Sequence, residues 1–404
     1  MPTAITVAGG PFTDYPGALE GFSEPDTNDG VAAVPNASTV STLNLVALTG
    51  ADMIRDFDVF FRFAGNLNAF TGTLALSPRF PYNIVSNLSI PYQSGSLRMV
   101  NMDGHLEYVY QQIRGNNTPF WSPYVQQQPL RQTAYGPEAN LVSSPSYVAP
   151  TPSSSQTWLF NFKVMPALFF RYFYDLDAKG NLLQYENVYV SPFLMSSTGR
   201  NTIPTVNLAP LFGATLDTSP FVQVAPLTTP PTWTDTGSLI WFRRNGWRQP
   251  ASPAQMPPLF NWAHQIFSSR FNLPSSRVRI PLPTEGQLLC IVARMWDPTL
   301  NSGQGGAIPL GNLTNLQVTY GSGIAKVNDT PQSHQDRLLR LFGWLQPAGV
   351  IIWDWYTESG KTNRDAINTY NTASPQIRLD FGNFVPGQGS YIDVALDYLT
   401  LVSN

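Results

Sequence analysis

Asn87-Leu88-Ser89-Ile90-Pro91-Tyr92-Gln93-Ser94-Gly95 returns far along the chain as Asn315-Leu316-Gln317-Val318-Thr319-Tyr320-Gly321-Ser322-Gly323, and both stretches obey the pattern N-L-x-(Ile/Val)-x-Y-x-S-G. Each continues through a short apolar stretch to an asparagine: Leu97-Arg98-Met99-Val100-Asn101 against Ile324-Ala325-Lys326-Val327-Asn328. A helical pattern follows in both places. Leu106, Val109, Tyr110 and Ile113 fall at i, i+3, i+4 and i+7, and Leu338, Leu341, Phe342 and Leu345 repeat that spacing. Ser333 with Asp336 resembles a capping box at the start of the second helix. Strand, turn, strand and helix in the same order twice predict a duplicated domain.

The text around the repeat is β-like. Asp58–Phe63, Thr157–Val164 and Tyr391–Leu399 are rich in Val, Ile, Phe and Tyr with a partial period of two, the mark of half-buried strands. A short strand is expected near Thr3–Val7. The chain has 36 Pro and 30 Gly, which break helices and crowd structured loops. Asn261–Phe271, flanked by prolines, is one further candidate helix. Residues 1–50 read as an extended N-terminal arm. Residues 51–248 then form a first sandwich with long loops, 249–258 (QPASPAQMPP) a Pro-rich linker, and 259–404 a compact second sandwich. The expected class is all-β, two β-sandwiches in tandem with a few short helices in loops.

Composition excludes several functions. With 404 residues, 43 % hydrophobic and only 12 % charged, the chain is not intrinsically disordered. Its 26 acidic and 23 basic residues lack the excess of positive charge that a general nucleic-acid binder needs. Cys290 is the only cysteine, so disulfides within the chain and cysteine-cluster zinc sites are excluded. It falls in the strand-like run Leu288–Val292 and reads as a buried structural thiol. No apolar run reaches a membrane span and the N-terminus lacks a secretory pattern, so a soluble chain made in a cytoplasm is expected.

Motifs that imitate chemistry are weak. Asp175–Glu186 approaches an EF-hand loop, but Lys179 occupies a ligand position and the flanks read as strands, so a hairpin is expected. Ser359-Gly360-Lys361-Thr362 imitates a P-loop, yet Trp355 stands where its first Gly belongs. His105, His264 and His334 are too dispersed to predict a zinc site. Asp354 and Glu358 read as unpaired surface acids rather than a glycosidase pair. No catalytic constellation, metal or cofactor is expected. Trp241, Arg243, Arg244, Trp247 and Arg248 interleave aromatic and cationic groups, and form a candidate interface or membrane- or genome-facing patch.

On three features the sequence resembles the double jelly-roll major capsid proteins of tailless icosahedral, tectivirus-like viruses. These are the duplicated unit at 87–113 and 315–345, the strand Trp158-Leu159-Phe160-Asn161-Phe162-Lys163-Val164 leading into Met165-Pro166, and the overall length. The resemblance implies two jelly rolls, a homotrimeric pseudo-hexagonal capsomer and a structural role in a virion assembled in the host cytoplasm. The partners it implies are other copies of the chain, neighbouring capsomers, and penton or minor capsid proteins. It implies no sequence-specific recognition of nucleic acid. An internal membrane is in question, because residues 1–50 show no basic or amphipathic helix. The alternative is a carbohydrate-binding β-sandwich protein, for which ten Trp and 17 Tyr supply stacking groups.

Overall fold

A computed structural model describes residues 5–7, 10–12, 21–25, 31–32, 34–35, 39–44, 53–68, 70, 74–77, 79–80, 82–91, 98–113, 147–149, 156–164, 173–176, 182–185, 205–213, 215, 217–223, 229–247, 262–284, 286–303, 305–320, 324–343, 346–359, 365–369 and 375–401. The first half supplies β1 (Gly21–Pro25), β2 (Ser41–Asn44), β3 (Met53–Leu67), β4 (Val85–Pro91), β5 (Arg98–Met102), α1 (Gly104–Ile113), β6 (Gln156–Val164), β7 (Thr205–Leu208) and β8 (Leu239–Trp247). The second supplies β9 (Trp262–Asn272), β10 (Arg277–Pro281), β11 (Gln287–Asp297), β12 (Asn315–Tyr320), β13 (Ile324–Asp329), α2 (Pro331–Phe342), β14 (Val350–Asp354), β15 (Gln376–Asp380) and β16 (Tyr391–Leu401).

Each strand of the first set has its counterpart eight places later. One sheet of the first sandwich runs β1-β8-β3-β6, and its counterpart runs β9-β16-β11-β14. The facing sheets run β2-β7-β4-β5 and β10-β15-β12-β13. Two four-stranded antiparallel sheets built in this chain order make a jelly roll, and the chain makes two.

The duplication holds residue by residue. Ser89 stands opposite Asn101 and Ile90 opposite Val100, as Gln317 stands opposite Asn328 and Val318 opposite Val327. Both hairpins then shift register at the same step, so Met99 and Lys326 are equivalent bulge residues. Rows extend across all four strands: Asn44-Thr205-Ser89-Asn101 corresponds to Arg279-Arg378-Gln317-Asn328. Even the helix starts match. Asp103 Oδ1 accepts from the backbone N–H of His105 and Leu106, both at 3.0 Å, and Thr330 Oγ1 accepts from Ser333 N–H at 3.2 Å.

The half-buried alternation expected over Tyr391–Leu399 fails, since Tyr391–Asp397 of β16 are all buried, as is the apolar run of β11 beside them, and packing explains why. Ile291, Ala293 and Met295 of β11 meet Val278, Leu316, Val318 and Leu379 of the facing sheet in the sandwich core. Cys290 and Val292, on the opposite face, meet Leu106, Val109 and Tyr110 of α1 and Leu338 of α2. A sheet covered on both sides selects a continuous apolar run, and each side chain so buried contributes about 1.5–3 kcal/mol. The two halves share this second cluster. They also share a sheet: β9 pairs with β5 in parallel, with Ile266 opposite Val100 and Phe267 opposite Asn101.

Several local expectations need correction. The candidate helix Asn261–Phe271 is strand β9, because pairing along its whole length with β16 overrides local helix propensity. The start of α2 is capped by Thr330, not by a Ser333–Asp336 box, and Asp336 instead accepts from Gln332 at 3.1 Å. That helix stops at Phe342, where Gly343 turns left-handed (φ 72°), short of Leu345, which lies outside the described residues. Asp354 is buried and accepts from the Thr357 hydroxyl, while Glu358 lies 3.5 Å from Arg337, so neither is an unpaired surface acid. Ile5–Val7 forms a strand, as expected near Thr3–Val7. Phe173–Leu176 and Leu182–Tyr185 pair antiparallel, as the expected hairpin requires of the strands on either side of its turn.

Candidate functional site

The interleaved patch falls on β8. The backbone of Trp241, Arg243, Arg244 and Trp247 pairs with β3 on one side, and from Arg243 onward with β1 on the other, which makes this a central strand. Their side chains, and Arg248 altogether, lie outside the described residues, as do 249–258 and the side chain of His264.

What the structure does assemble is a charged clasp between the sandwiches. Arg294 projects from the helix-covered face of β11 with only 4 % of its side chain exposed. It donates to Asp103 through Nη1 at 3.0 Å and Nη2 at 2.9 Å, and to Asp393 on β16 through Nη2 at 2.6 Å. Asp393 also accepts from Arg270 on β9 at 2.7 and 3.1 Å. Asp103 therefore caps α1 and binds the second sandwich with the same carboxylate. An arginine only donates, so its Nη1, 3.2 Å from His105 Nδ1, fixes His105 as a neutral ring protonated on Nε2.

Other links surround this centre. Tyr110 of α1 donates to Asp397 of β16, and Tyr391 of β16 donates to Asp217 of the first half. The Arg79 guanidinium lies 4.3 Å from the Trp296 ring centre, and Arg270 lies 3.6 Å from the Tyr391 ring centre. Burial alone would raise the Asp103 and Asp393 carboxyls, but Arg294 holds both below the usual carboxylate range, with Arg270 helping at Asp393. Burial, reinforced by Arg294 and Arg79, pushes His105 well below the ordinary histidine value. Burial pushes the Tyr391 hydroxyl up.

At its centre, the guanidiniums of Arg294 and Arg270 and the carboxylates of Asp103 and Asp393 are engaged with one another. Such an arrangement locks geometry rather than performing chemistry. Sequence reading missed it, although one signal was present: Arg294 is a lone charge inside a long apolar strand, which calls for a buried partner. The partner could not be found by spacing, because Asp103 comes from the other half of the chain. Among the described residues no group of three His, Cys, Asp or Glu is placed to hold a metal, and no helix is long and apolar enough to cross a membrane.

Neither a protein-family model nor a curated protein matches the sequence. Solved structures do match in fold. The STIV major capsid protein superimposes with a TM-score of 0.58 at 14 % identity, over 95 % of this chain and 97 % of that one. A chain from the atomic structure of Sulfolobus Turreted Icosahedral Virus gives 0.56 at 15 %, over 95 % and 91 %. One from the PBCV-1 virus capsid gives 0.53 at 10 %, over 95 % of each chain. The first of these is a major capsid protein and the third belongs to a virus capsid. With its two equivalent four-plus-four sandwiches, the chain has the fold of the major capsid proteins of double jelly-roll viruses.

Proposed function

We propose that the protein is a major capsid protein with no chemistry of its own. Three copies form a capsomer in which six sandwiches stand in a pseudo-hexagon, and capsomers tile an icosahedral shell around a genome. The observation that supports this most is the likeness to capsid proteins over 95 % of the chain, which takes in both sandwiches at once. The units are 51–248 and 259–404 joined by 249–258, with β1 and β2 from residues 1–50 added to the first sheets. Partners are other copies, neighbouring capsomers, and penton or minor capsid proteins, in a virion assembled in the host cytoplasm. If an internal membrane is present, Arg243–Arg248 is the stretch proposed to face it.

Light scattering coupled to size exclusion tests the reading. It predicts three times 44.6 kDa, about 134 kDa, resistant to dilution, with hexagonal outlines in electron micrographs. A dilution-stable monomer would sink it and send the protein to a glycan-binding screen. Trp296, Trp353 and Trp355 are fully buried, which leaves none of these three as an open sugar platform.

A further inference from the structure

The two sandwiches are equivalent strand for strand, but among the described residues one contact of the first has no counterpart in the second. β5 pairs with β4 on one side and, in parallel, with β9 on the other. Its counterpart β13 pairs with β12 alone among the described residues. The same asymmetry shows at the other partner. β9 pairs with β16 and β5, whereas its counterpart β1 pairs only with β8 among the described residues. Among the described residues each chain thus leaves the β13 edge and the β1 edge without a partner strand, and the β5·β9 contact within the same chain shows how such edges meet.

We infer that the β13 edge takes strand β1 of a second copy, in parallel, as β5 takes β9 within one chain. This rests on the self-assembly reading above and names the surfaces that meet. The bulge at Lys326 does not bar it: β5 carries the same bulge at Met99 and still pairs with β9 at Val100 and Asn101, just beyond it. The equivalent positions in β13 are Val327 and Asn328, and Asn328 is exposed. Charge is complementary as well. β1 brings Glu24 from a stretch, residues 1–50, that holds five carboxylates and neither Lys nor Arg, while β13 brings Lys326. Added strands of this kind gain main-chain hydrogen bonds along an edge otherwise left to water. The contact is heterologous, so it closes into a ring or runs on into a filament. A capsomer of three copies requires the ring. The competing account is that Lys326 and the bulge merely keep the edge from pairing with anything.

Cysteine pairing separates the two accounts, since the native Cys290 is buried. Asn328→Cys is combined in turn with Phe22→Cys, Ser23→Cys and Glu24→Cys, which covers the registers open to so short a strand. Under mild oxidation at least one pair should give a covalent ladder ending at three times 44.6 kDa, reversed by reductant and absent from each single variant. Arg279→Cys, on the opposite edge strand of that sheet, replaces Asn328→Cys as the control and should give none. A protein that is trimeric by light scattering but forms no such ladder with any pair overturns the edge contact and leaves the capsomer standing. A ladder equally strong from the Arg279→Cys control overturns it too. A monomeric wild type overturns both readings.

Discussion

Asp103 holds Arg294 by two charged hydrogen bonds, at 3.0 and 2.9 Å, while the same carboxylate caps the helix α1. The capping residue of one sandwich is therefore the ion-pair partner of the other. The orientation of the two jelly rolls is tied to the start of a helix that both of them bury.

Asp103→Ala should be strongly destabilising. Arg294 stays buried with one carboxylate fewer, and breaking such a pair costs about 3–5 kcal/mol. Asp103→Asn keeps a good capping side chain and should fall between wild type and alanine. Urea unfolding of the three proteins checks the order. An alanine variant within about 1 kcal/mol of wild type would remove the clasp from the account.

Stability should fall in two stages as the pH drops. His105 and His334 are held neutral in the fold by burial, Arg294 adding to this at His105 while Asp329 partly opposes it at His334. His334 Nε2 also accepts the Ile352 N–H at 3.3 Å, and its Nδ1 lies near Asp329 at 3.6 Å and Arg337 at 3.1 Å. The unfolded chain takes up their protons below its ordinary value of 6.5 and the fold resists, so their contribution is full above that pH and is lost below it. Asp103 and Asp393 titrate below the ordinary 3.8, so theirs is lost only in stronger acid. Melting temperature against pH should show both steps. His105→Gln with His334→Gln should flatten the first while leaving the second.

Gly104→Ala should destabilise where its counterpart tolerates the same side chain. A Cβ at Gly104 would lie 2.4 Å from the Tyr82 carbonyl oxygen and 2.9 Å from the Val85 Cβ, so backbone must move, at a cost on the order of 1–3 kcal/mol. The equivalent first helical position in α2 is Pro331, and Pro331→Ala should change stability by less than about 1 kcal/mol. Thermal melts of the two variants give the comparison.

Arg279→Glu should stabilise the isolated chain by about 0.2–1 kcal/mol. Arg279 and Arg378 stand directly opposite each other on neighbouring strands, and the change makes a repelling pair attractive. Denaturant midpoints at low and high salt check it, since the gain should shrink as salt screens the pair.

Much of the fold was legible beforehand. The N-L-x-(Ile/Val)-x-Y-x-S-G repeat announced a duplication that extends to a shared bulge and equivalent helix caps. The helix over Leu106–Ile113 followed from its spacing, since a period near 3.6 on one face depends on neighbours within two turns. Asn261–Phe271 was misread because its partners, β16 and β5, lie far away in the chain. The clasp was invisible for a related reason: a lone arginine in an apolar strand shows that a partner is needed, not where it comes from.

Taken by itself, then, the amino-acid sequence determined the β class, the duplication and the two helices, all of which depend on periodicity and turn chemistry among near neighbours. Only the tertiary structure decided how the halves sit together. That relation rests on contacts between residues distant in the chain: Asp103 with Arg294, Tyr110 with Asp397, and β5 with β9. Local pattern cannot select one such pairing from another, because each is favourable only once the sheets that carry both partners have formed.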